Sequence, residues 1–186
     1  MSSSDSPGRQ HLQIAGLWMS ALPLGEMWHT GIGVADLDAA VADFRTRSGI
    51  RFTDPHIVPL TIRQRDAVGL ADVRVRTVMS LGTPPYLELI EAIPGTVYSA
   101  GQVHLGFWSD GLPAAVAAMT EAGCPQVMCD TGADDAGPDM MSYHQTPGGY
   151  VIEVVAPYLR PLVEQHMAGG PAPRPRSGHG ARRGDP

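Results

Sequence analysis

The chain has 186 residues, of which 43% are hydrophobic and 17% are charged, and its formal net charge is -6. This composition supplies a core and excludes global disorder, and the acidic balance argues against a nucleic-acid partner. All 13 basic residues are arginine, which excludes enzymes that form a Schiff base through lysine. With two cysteines and no apolar run of the roughly 20 residues that span a membrane, we expect a cytoplasmic protein without a membrane partner.

Both ends of the chain have the composition of extensions to a folded domain. Residues 1–27 begin with a polar, serine-rich stretch and become mildly apolar, which predicts a partly disordered N-terminal arm. Residues 168–186 are mostly Gly, Pro and Arg and offer almost nothing to bury, which predicts a disordered tail.

The elements at the start of the predicted fold occur twice. A β-prone run at residues 28–34 contains a His-x-Gly sequence, and an alanine-rich helical pattern follows over residues 39–50. A β-prone run at residues 103–108 also contains His-x-Gly, and a second helical pattern covers residues 113–124. Aspartates before each pattern predict aspartate N-caps, and each helix is expected to end near a glycine.

A short β-prone run and a hairpin follow each predicted helix, with Gly or Pro in the hairpin turn. The runs lie at residues 51–52, 73–81 and 86–90 in the first half, and at residues 126–129, 140–146 and 150–155 in the second. Residues 56–72 show no clear pattern and are predicted as a loop with one short strand.

The order βαβββ therefore repeats, which predicts two similar modules followed by one more helix. The first module is predicted at residues 28–99 and the second at residues 100–157. A C-terminal helix is expected over residues 158–167.

Each half carries one histidine on its first strand and one glutamate in its last, namely His29 and Glu88, then His104 and Glu153. A carboxylate within an apolar strand needs a partner, because desolvating a lone charge costs several kcal/mol. The first and last strands of such a module can be neighbours in a curved sheet, so the four side chains can converge. Two imidazoles and two carboxylates suit one divalent metal ion, with Zn, Ni, Co, Mn and Fe as candidates.

These motifs resemble those of the vicinal oxygen chelate superfamily, and most of all its glyoxalase-like proteins of actinobacterial type. The resemblance rests on His-Thr-Gly-Ile and Pro-Tyr-Leu-Glu-Leu-Ile-Glu at residues 29–32 and 85–91, and on His-Leu-Gly-Phe and Gly-Gly-Tyr-Val-Ile-Glu at residues 104–107 and 148–153. The superfamily includes glyoxalase I, methylmalonyl-CoA epimerase, extradiol dioxygenases and bleomycin- or fosfomycin-resistance proteins.

The resemblance implies an α+β fold in which two tandem βαβββ modules form an open eight-stranded cleft around a metal. The family's ligand positions fall on His29, Glu88, His104 and Glu153. The implied activity is that of a lyase or isomerase, acting on a small carbonyl or acyl substrate through a metal-stabilised enolate or oxyanion. A carboxylate at the metal would be the base, and family analogy favours Glu153 over Glu88. A homodimer is also implied.

Two other functions stay open at this point. The cleft could sequester a metabolite or drug without catalysis, with Trp28, Trp108 and Tyr143 stacked on the ligand. We assign Trp108 and Tyr143 to binding of the small-molecule substrate in the enzyme as well. An extradiol-type ferrous dioxygenase would use two histidines and one glutamate, and a fourth ligand at Glu88 would crowd that site.

Three more side chains have more than one interpretation. Arg74 and Arg76 share one face of a strand, where they either contact solvent or bind a substrate carboxylate or phosphate. His144 either lines the same cavity as the predicted ligands, faces solvent or lies in the core.

Overall fold

The computed structural model describes residues 13–14, 17–18, 22, 24–131 and 137–168. The predicted tail lies almost wholly outside these residues, as does most of the predicted arm, so disorder at either end stays a prediction. Within the arm, Gln13–Ile14 (β1) and Leu17–Trp18 (β2) form a small antiparallel pair.

The first half of the chain has the predicted order βαβββ, but the strand after the helix lies at His56–Gln64 and not at residues 51–52, where Phe52 forms only an isolated bridge to Ser80. Its elements are β3 (Leu24–Val34), α1 (Leu37–Ser48), β4 (His56–Gln64), β5 (Leu70–Met79) and β6 (Tyr86–Glu91). Strand β3 begins inside the segment that was predicted as the N-terminal arm.

The second half repeats this order and adds a C-terminal helix. Its elements are β7 (Val103–Ser109), α2 (Leu112–Glu121), β8 (Gln126–Asp130), β9 (Met141–Gln145) and β10 (Val151–Val155). A single 3-10 turn, Pro157–Leu159, leads into α3 (Arg160–Met167). None of the helices in the described part of the chain is long and apolar enough to cross a membrane.

The eight strands β3 to β10 form one sheet, which confirms the predicted α+β fold class with its two βαβββ units. Strands β3 and β7, the first strands of the two halves, pair antiparallel at the centre. Each also pairs in parallel with the last strand of its own half, β3 with β6 and β7 with β10. The sheet is closed, where an open cleft was expected, because β4 and β8 pair and complete a barrel.

The two long helices lie against the outside of the barrel and begin differently. The carboxylate of Asp36 caps α1 by accepting the N–H of Ala39 at 2.9 Å, and α1 ends at Gly49 with a left-handed φ of 70°. The predicted aspartate cap is wrong for α2, whose N-cap is Gly111 and has no side chain to accept a hydrogen bond. A proline in the first turn of α2 makes up for part of this, because no N–H is needed there.

The prediction for residues 56–72 is wrong, since this segment contains all of β4 and the start of β5. The two strands form a long antiparallel hairpin, with His56 opposite Thr77 and Arg63 opposite Leu70. Pro59 lies within β4 and weakens the strand pattern in the sequence. The strand forms because its alternate side chains, Leu60 and Ile62 among them, are buried inside the barrel.

Alternation along the strands separates the barrel interior from the helix-covered outside. Leu89 packs outward with Leu37 of α1, while its neighbour Ile90 belongs to the interior cluster. Arg76 also faces outward and joins Asp38 of α1 to Glu91 of β6, at 2.7 and 3.2 Å. Of the two interpretations of the arginine pair, the structure therefore favours the outer face.

Candidate metal centre

The register of β3 and β7 brings the two predicted histidine ligands together. His29 lies opposite Gly106, and His104 lies opposite Gly31, so each His-x-Gly sequence faces the other in reverse. A Cβ atom on either glycine would overlap the imidazole ring from the opposite strand. Each glycine therefore leaves the space in which the other strand's histidine lies.

The strands that pair in parallel on either side, β6 and β10, place the two glutamates next to the two glycines. Glu88 of β6 lies beside Gly31, and Glu153 of β10 lies beside Gly106. Each glutamate is thus separated from one histidine by a residue without a side chain. The four predicted ligands consequently share the inner face of the sheet.

The ligand atoms of three of these residues converge closely. The Nε2 atoms of His29 and His104 are 3.2 Å apart, and Oε2 of Glu153 lies 2.9 Å from the first and 3.5 Å from the second. One ligand atom from each of the three lies within 4.8 Å of the others, and all three residues are buried.

Glu88 lies at the edge of this cluster. Its Oε2 atom is 3.3 Å from Nε2 of His29, while its Oε1 atom accepts a hydrogen bond from the Thr77 hydroxyl at 2.7 Å. The Glu88 side chain is 17% exposed, compared with 5% for Glu153. The two glutamates, which are equivalent in the repeat, therefore have different environments.

The donor set fits one divalent transition metal. Ligand atoms that share an ion at bond lengths of about 2.1 Å lie roughly 3 Å from one another, and the four contacts above are close to that spacing. The Nδ1 atoms of His29 and His104 are buried and have no hydrogen-bond partner among the described residues. With the ring proton on Nδ1, each Nε2 lone pair is left for a metal, and the Nδ1–H has no acceptor among the described residues.

The electrostatics of the cluster also favour a bound cation. Burial by itself lowers the pKa of His29, but the carboxylates of Glu153 and Glu88 outweigh it and raise that pKa above its usual value. Burial by itself raises the pKa of Glu153, whereas His29 and His104 bring it well below its usual value. The cluster thus favours a positive charge beside a carboxylate, and a metal ion would take the place of that proton.

Two buried tyrosines extend the cluster. The Tyr143 hydroxyl donates to Oε1 of Glu153 at 2.9 Å, and the Tyr98 hydroxyl lies 2.8 Å from that of Tyr143. Burial, with the charge of Glu153, raises the pKa of both phenols well above the usual value, so both stay protonated. Sequence analysis missed Tyr98, because it lies in the connection between the halves, where no strand pattern marks it.

A bulge in β3 adds a tryptophan to the barrel interior. Met27 pairs with Phe107 and His29 with Gly106, so Trp28 is an extra residue without a partner on β7. In such a bulge two successive side chains can point the same way. Trp28 lines the cavity, and its ring lies 4.0 Å from that of His29, which is not part of the lining. Trp108, predicted to bind substrate, stacks behind Trp28 at 4.6 Å and does not line the cavity, so its position gives that role no support.

A cavity of about 110 Å³ lies above the cluster inside the barrel. Tyr143, Glu88 and Glu153 line it, as the predicted roles require, and most of its wall is aliphatic. Two histidines to which no role was assigned, His56 of β4 and His166 of α3, also line it, with ring centroids 4.7 Å apart. Their positions depend on the packing of α3 against the barrel, for which the sequence carries no local signal.

His144 lies outside this site. It is buried, with Nε2 2.9 Å from the Ser142 hydroxyl and Nδ1 3.0 Å from the carbonyl of Cys124. The core interpretation of His144 is therefore correct.

A comparison with known protein families agrees with this architecture. A sequence model of the glyoxalase/bleomycin resistance protein/dioxygenase superfamily matches residues 27–143. That match covers both histidines and Glu88 and ends before Glu153. No curated protein matches the chain.

Several solved structures are similar at low identity. A variant of Streptomyces coelicolor methylmalonyl-CoA epimerase, in complex with 2-nitronate-propionyl-CoA, is 22% identical with a TM-score of 0.45, over 72% of this chain and 97% of its own. Methylmalonyl-CoA epimerase from Mycobacterium tuberculosis is 18% identical with a TM-score of 0.47, over 77% and 95%. A variant of Streptomyces coelicolor 4-hydroxymandelate synthase is 12% identical with a TM-score of 0.43, over 73% and 49%.

Proposed function

The chain belongs to the glyoxalase/bleomycin resistance protein/dioxygenase superfamily, and on that premise we propose that it is a metal-dependent lyase or isomerase acting on a small carbonyl or acyl compound. One observation carries the proposal, namely the convergence of His29, His104 and Glu153 beneath a cavity, with Glu88 beside them. Which of the four bind the metal, and which metal it is, are parts of the proposal.

The residues of the site would have two roles, metal binding and exclusion of water. His29, His104 and Glu153 would hold the ion, with Glu88 at a fourth position or next to it. A bound divalent ion supplies Lewis acidity, which lowers the cost of negative charge on a substrate oxygen. The closed barrel and the apolar cavity wall would exclude water from the reacting atoms.

We infer that Glu88 moves the proton, contrary to the preference from family analogy. Oε1 of Glu153 accepts the Tyr143 hydroxyl and Oε2 lies against both imidazoles, so neither oxygen of Glu153 is directed at the cavity alone. Glu88 lines the cavity, is more exposed, and touches the cluster through Oε2 only. Its Oε2 atom is therefore the better placed general base, while Thr77 holds Oε1.

A ferrous dioxygenase is the second candidate, and one observation favours it. The tightest group in the site is two histidines and one glutamate, the ligand set of many non-haem iron oxygenases. Iron in the purified protein, with oxygen consumption in the presence of catechol, would replace the lyase or isomerase proposal with this one.

Metal content tests the site directly. We expect about one equivalent of a transition metal in the wild type purified without chelator, and none in the His29→Ala/His104→Ala double variant. His56→Ala removes an imidazole from the cavity rim and should keep the metal. A wild type that holds no metal, and takes up none when each candidate ion is offered, would overturn the proposal and favour sequestration without catalysis.

Proton exchange separates the roles of the two glutamates. With hydroxyacetone and 2-hydroxyacetophenone as probes in D₂O, we expect Glu88→Gln to keep its metal and to lose α-proton exchange by about 100-fold. Glu153→Gln should lose the metal itself. The opposite pattern would assign the base to Glu153, and metal-loaded wild type without exchange of either probe would count against lyase or isomerase chemistry.

The cytoplasmic location and the homodimer stay predictions. Light scattering during gel filtration would show whether the protein has twice the mass of its 19.7 kDa chain.

A further inference from the structure

The charge of the cavity restricts what can enter it. Its described lining contains two carboxylates, Glu88 and Glu153, and neither lysine nor arginine. A divalent ion bound beside both carboxylates would leave the site with no net charge. An anionic group on the substrate, away from the metal, would therefore be buried without a counter-charge, which is strongly unfavourable.

His56, at the rim, does not supply that charge. Burial and the neighbouring His166 lower the pKa of His56, so this imidazole is neutral at pH 7. Arg160, at the start of α3, is engaged by Glu26 at 3.0 Å and Glu164 at 3.1 Å and does not line the cavity.

The wall between the metal cluster and the rim is aliphatic. Leu60, Val75 and Ile90 contribute from the barrel, and Leu159 and Val163 contribute from the C-terminal segment that covers it. The cavity volume of about 110 Å³ is well below the several hundred Å³ of sites for drug-sized ligands. A compact hydrocarbon group suits this space, whereas a nucleotide-sized carrier does not.

Trp28 adds an aromatic ring to this wall. Its indole N–H is buried, and no acceptor for it exists among the described residues. The bulge in β3 holds the ring in the cavity wall, and Trp108 stacks on it and fixes its plane. The indole nitrogen has no surface open to the cavity, so a bound molecule would contact the carbon atoms of the ring and not the N–H.

We propose that the substrate is a compact, uncharged carbonyl compound with a hydrocarbon substituent, which packs against the aliphatic wall and the ring of Trp28. This proposal rests on the proposed function, because the metal would hold the reacting oxygens. It distinguishes the substrate from compounds that would place a carboxylate or phosphate inside the cavity, where no lysine or arginine matches the charge.

Three hydroxamic acids test the substrate class on the zinc-loaded, full-length protein. They present the same pair of metal-binding oxygens and differ in the tail: acetohydroxamic acid, hexanohydroxamic acid and succinomonohydroxamic acid. By isothermal titration calorimetry we expect the hexanoyl compound to bind at least about tenfold more tightly than the acetyl compound, because its methylenes are buried. The succinyl compound, with an anionic tail, should bind more weakly than either.

The contribution of Trp28 is tested with the same probe. Trp28→Ala removes the ring from the cavity wall, and it should weaken hexanohydroxamic acid binding about five- to tenfold at unchanged zinc content. Trp108→Phe keeps a ring behind Trp28 and does not line the cavity, so it is the control and should bind as the wild type does. Equal affinity in Trp28→Ala and the wild type would overturn the contact with Trp28.

Failure of this proposal is distinguishable from failure of the proposed function. A protein that takes up no zinc contradicts the metal site itself. A zinc-loaded protein that prefers the succinyl compound, or binds none of the three, keeps the metal site but overturns the substrate class.

Discussion

At the scale of single residues, the site depends on glycines as much as on ligands. The His-x-Gly sequence occurs in both halves because each histidine ring occupies the space above the glycine of the opposite strand. The motif therefore requires two antiparallel strands, one from each half. Each strand supplies one histidine and the glycine that makes room for the other histidine.

Replacing Gly106 by alanine should disturb the metal site with little change in the fold. The new Cβ would overlap the ring of His29, and a side chain yields more readily than the backbone of a central strand. We expect Gly106→Ala to weaken zinc binding at least about tenfold, measured by competition with a chromophoric chelator.

Gly111→Ala is the matched control for this substitution. Gly111 is the N-cap of α2, has an extended φ of -170°, and has open space where a Cβ would be placed. Zinc affinity should be unchanged there. Equal affinities in the two variants would show that Gly106 has no role in positioning His29.

At the scale of elements, a buried carboxylate joins two strands of the second half. Asp130 ends β8 and accepts the N–H groups of Met140 and Met141, at 2.7 to 3.0 Å, where β9 begins. Burial raises the pKa of Asp130 to about 6, although these hydrogen bonds act in the opposite direction. We therefore expect the hydrogen bonds that join Asp130 to the start of β9 to make the stability of the fold depend on pH.

The sign of this dependence follows from linkage. Because the pKa is higher in the folded chain than the unfolded value of about 3.9, the folded state keeps a proton that the unfolded state releases. The stability that Asp130 contributes is present below about pH 4 and is lost as the pH rises to about 6. The loss is on the order of 2–3 kcal/mol.

Urea unfolding at pH 4, 5 and 6 would measure this effect. We expect the free energy of unfolding to decline more steeply with pH in the wild type than in Asp130→Asn. Asp66→Asn, at an exposed turn position, should follow the wild type. Parallel pH profiles for wild type and Asp130→Asn would show that this carboxyl group is not responsible.

At the scale of the whole molecule, the barrel closes through a short contact between the two halves. Residues Ile62, Arg63 and Gln64 of β4 pair with Asp130, Cys129 and Met128 of β8. A closed sheet leaves no unpaired edge, and here it also encloses the cavity. The halves therefore meet twice, at the central β3–β7 pair and at this opposite contact.

A cavity at the closing contact should destabilise the entire barrel. Ile62 is 1% exposed, and we expect Ile62→Ala to lower the free energy of unfolding by about 3 kcal/mol in chemical denaturation. Ile57→Ala, on the outer face of the same strand at 48% exposure, should cost less than about 1 kcal/mol. Equal losses would show that burial at the closing contact has no special weight.

The sequence by itself determined the repeat, the strand and helix order of most of the chain, the α+β fold class and the identity of the four converging side chains. These features are local patterns, or the same pattern met twice, and they need no knowledge of contacts. The hairpin of β4 and β5 was missed because Pro59 interrupts its pattern and the strands are stabilised by pairing with distant parts of the barrel.

Only the tertiary structure decided which surroundings the equivalent residues of the two halves have. Glu88 and Glu153 occupy matching places in the repeat, yet Tyr143 and Tyr98 lie beside one and Thr77 beside the other. The bulge that turns Trp28 into the cavity, and the closure of the sheet, also arise from pairing between the halves. Such asymmetry depends on which side chains meet across the barrel, and a sequence repeat does not contain that information.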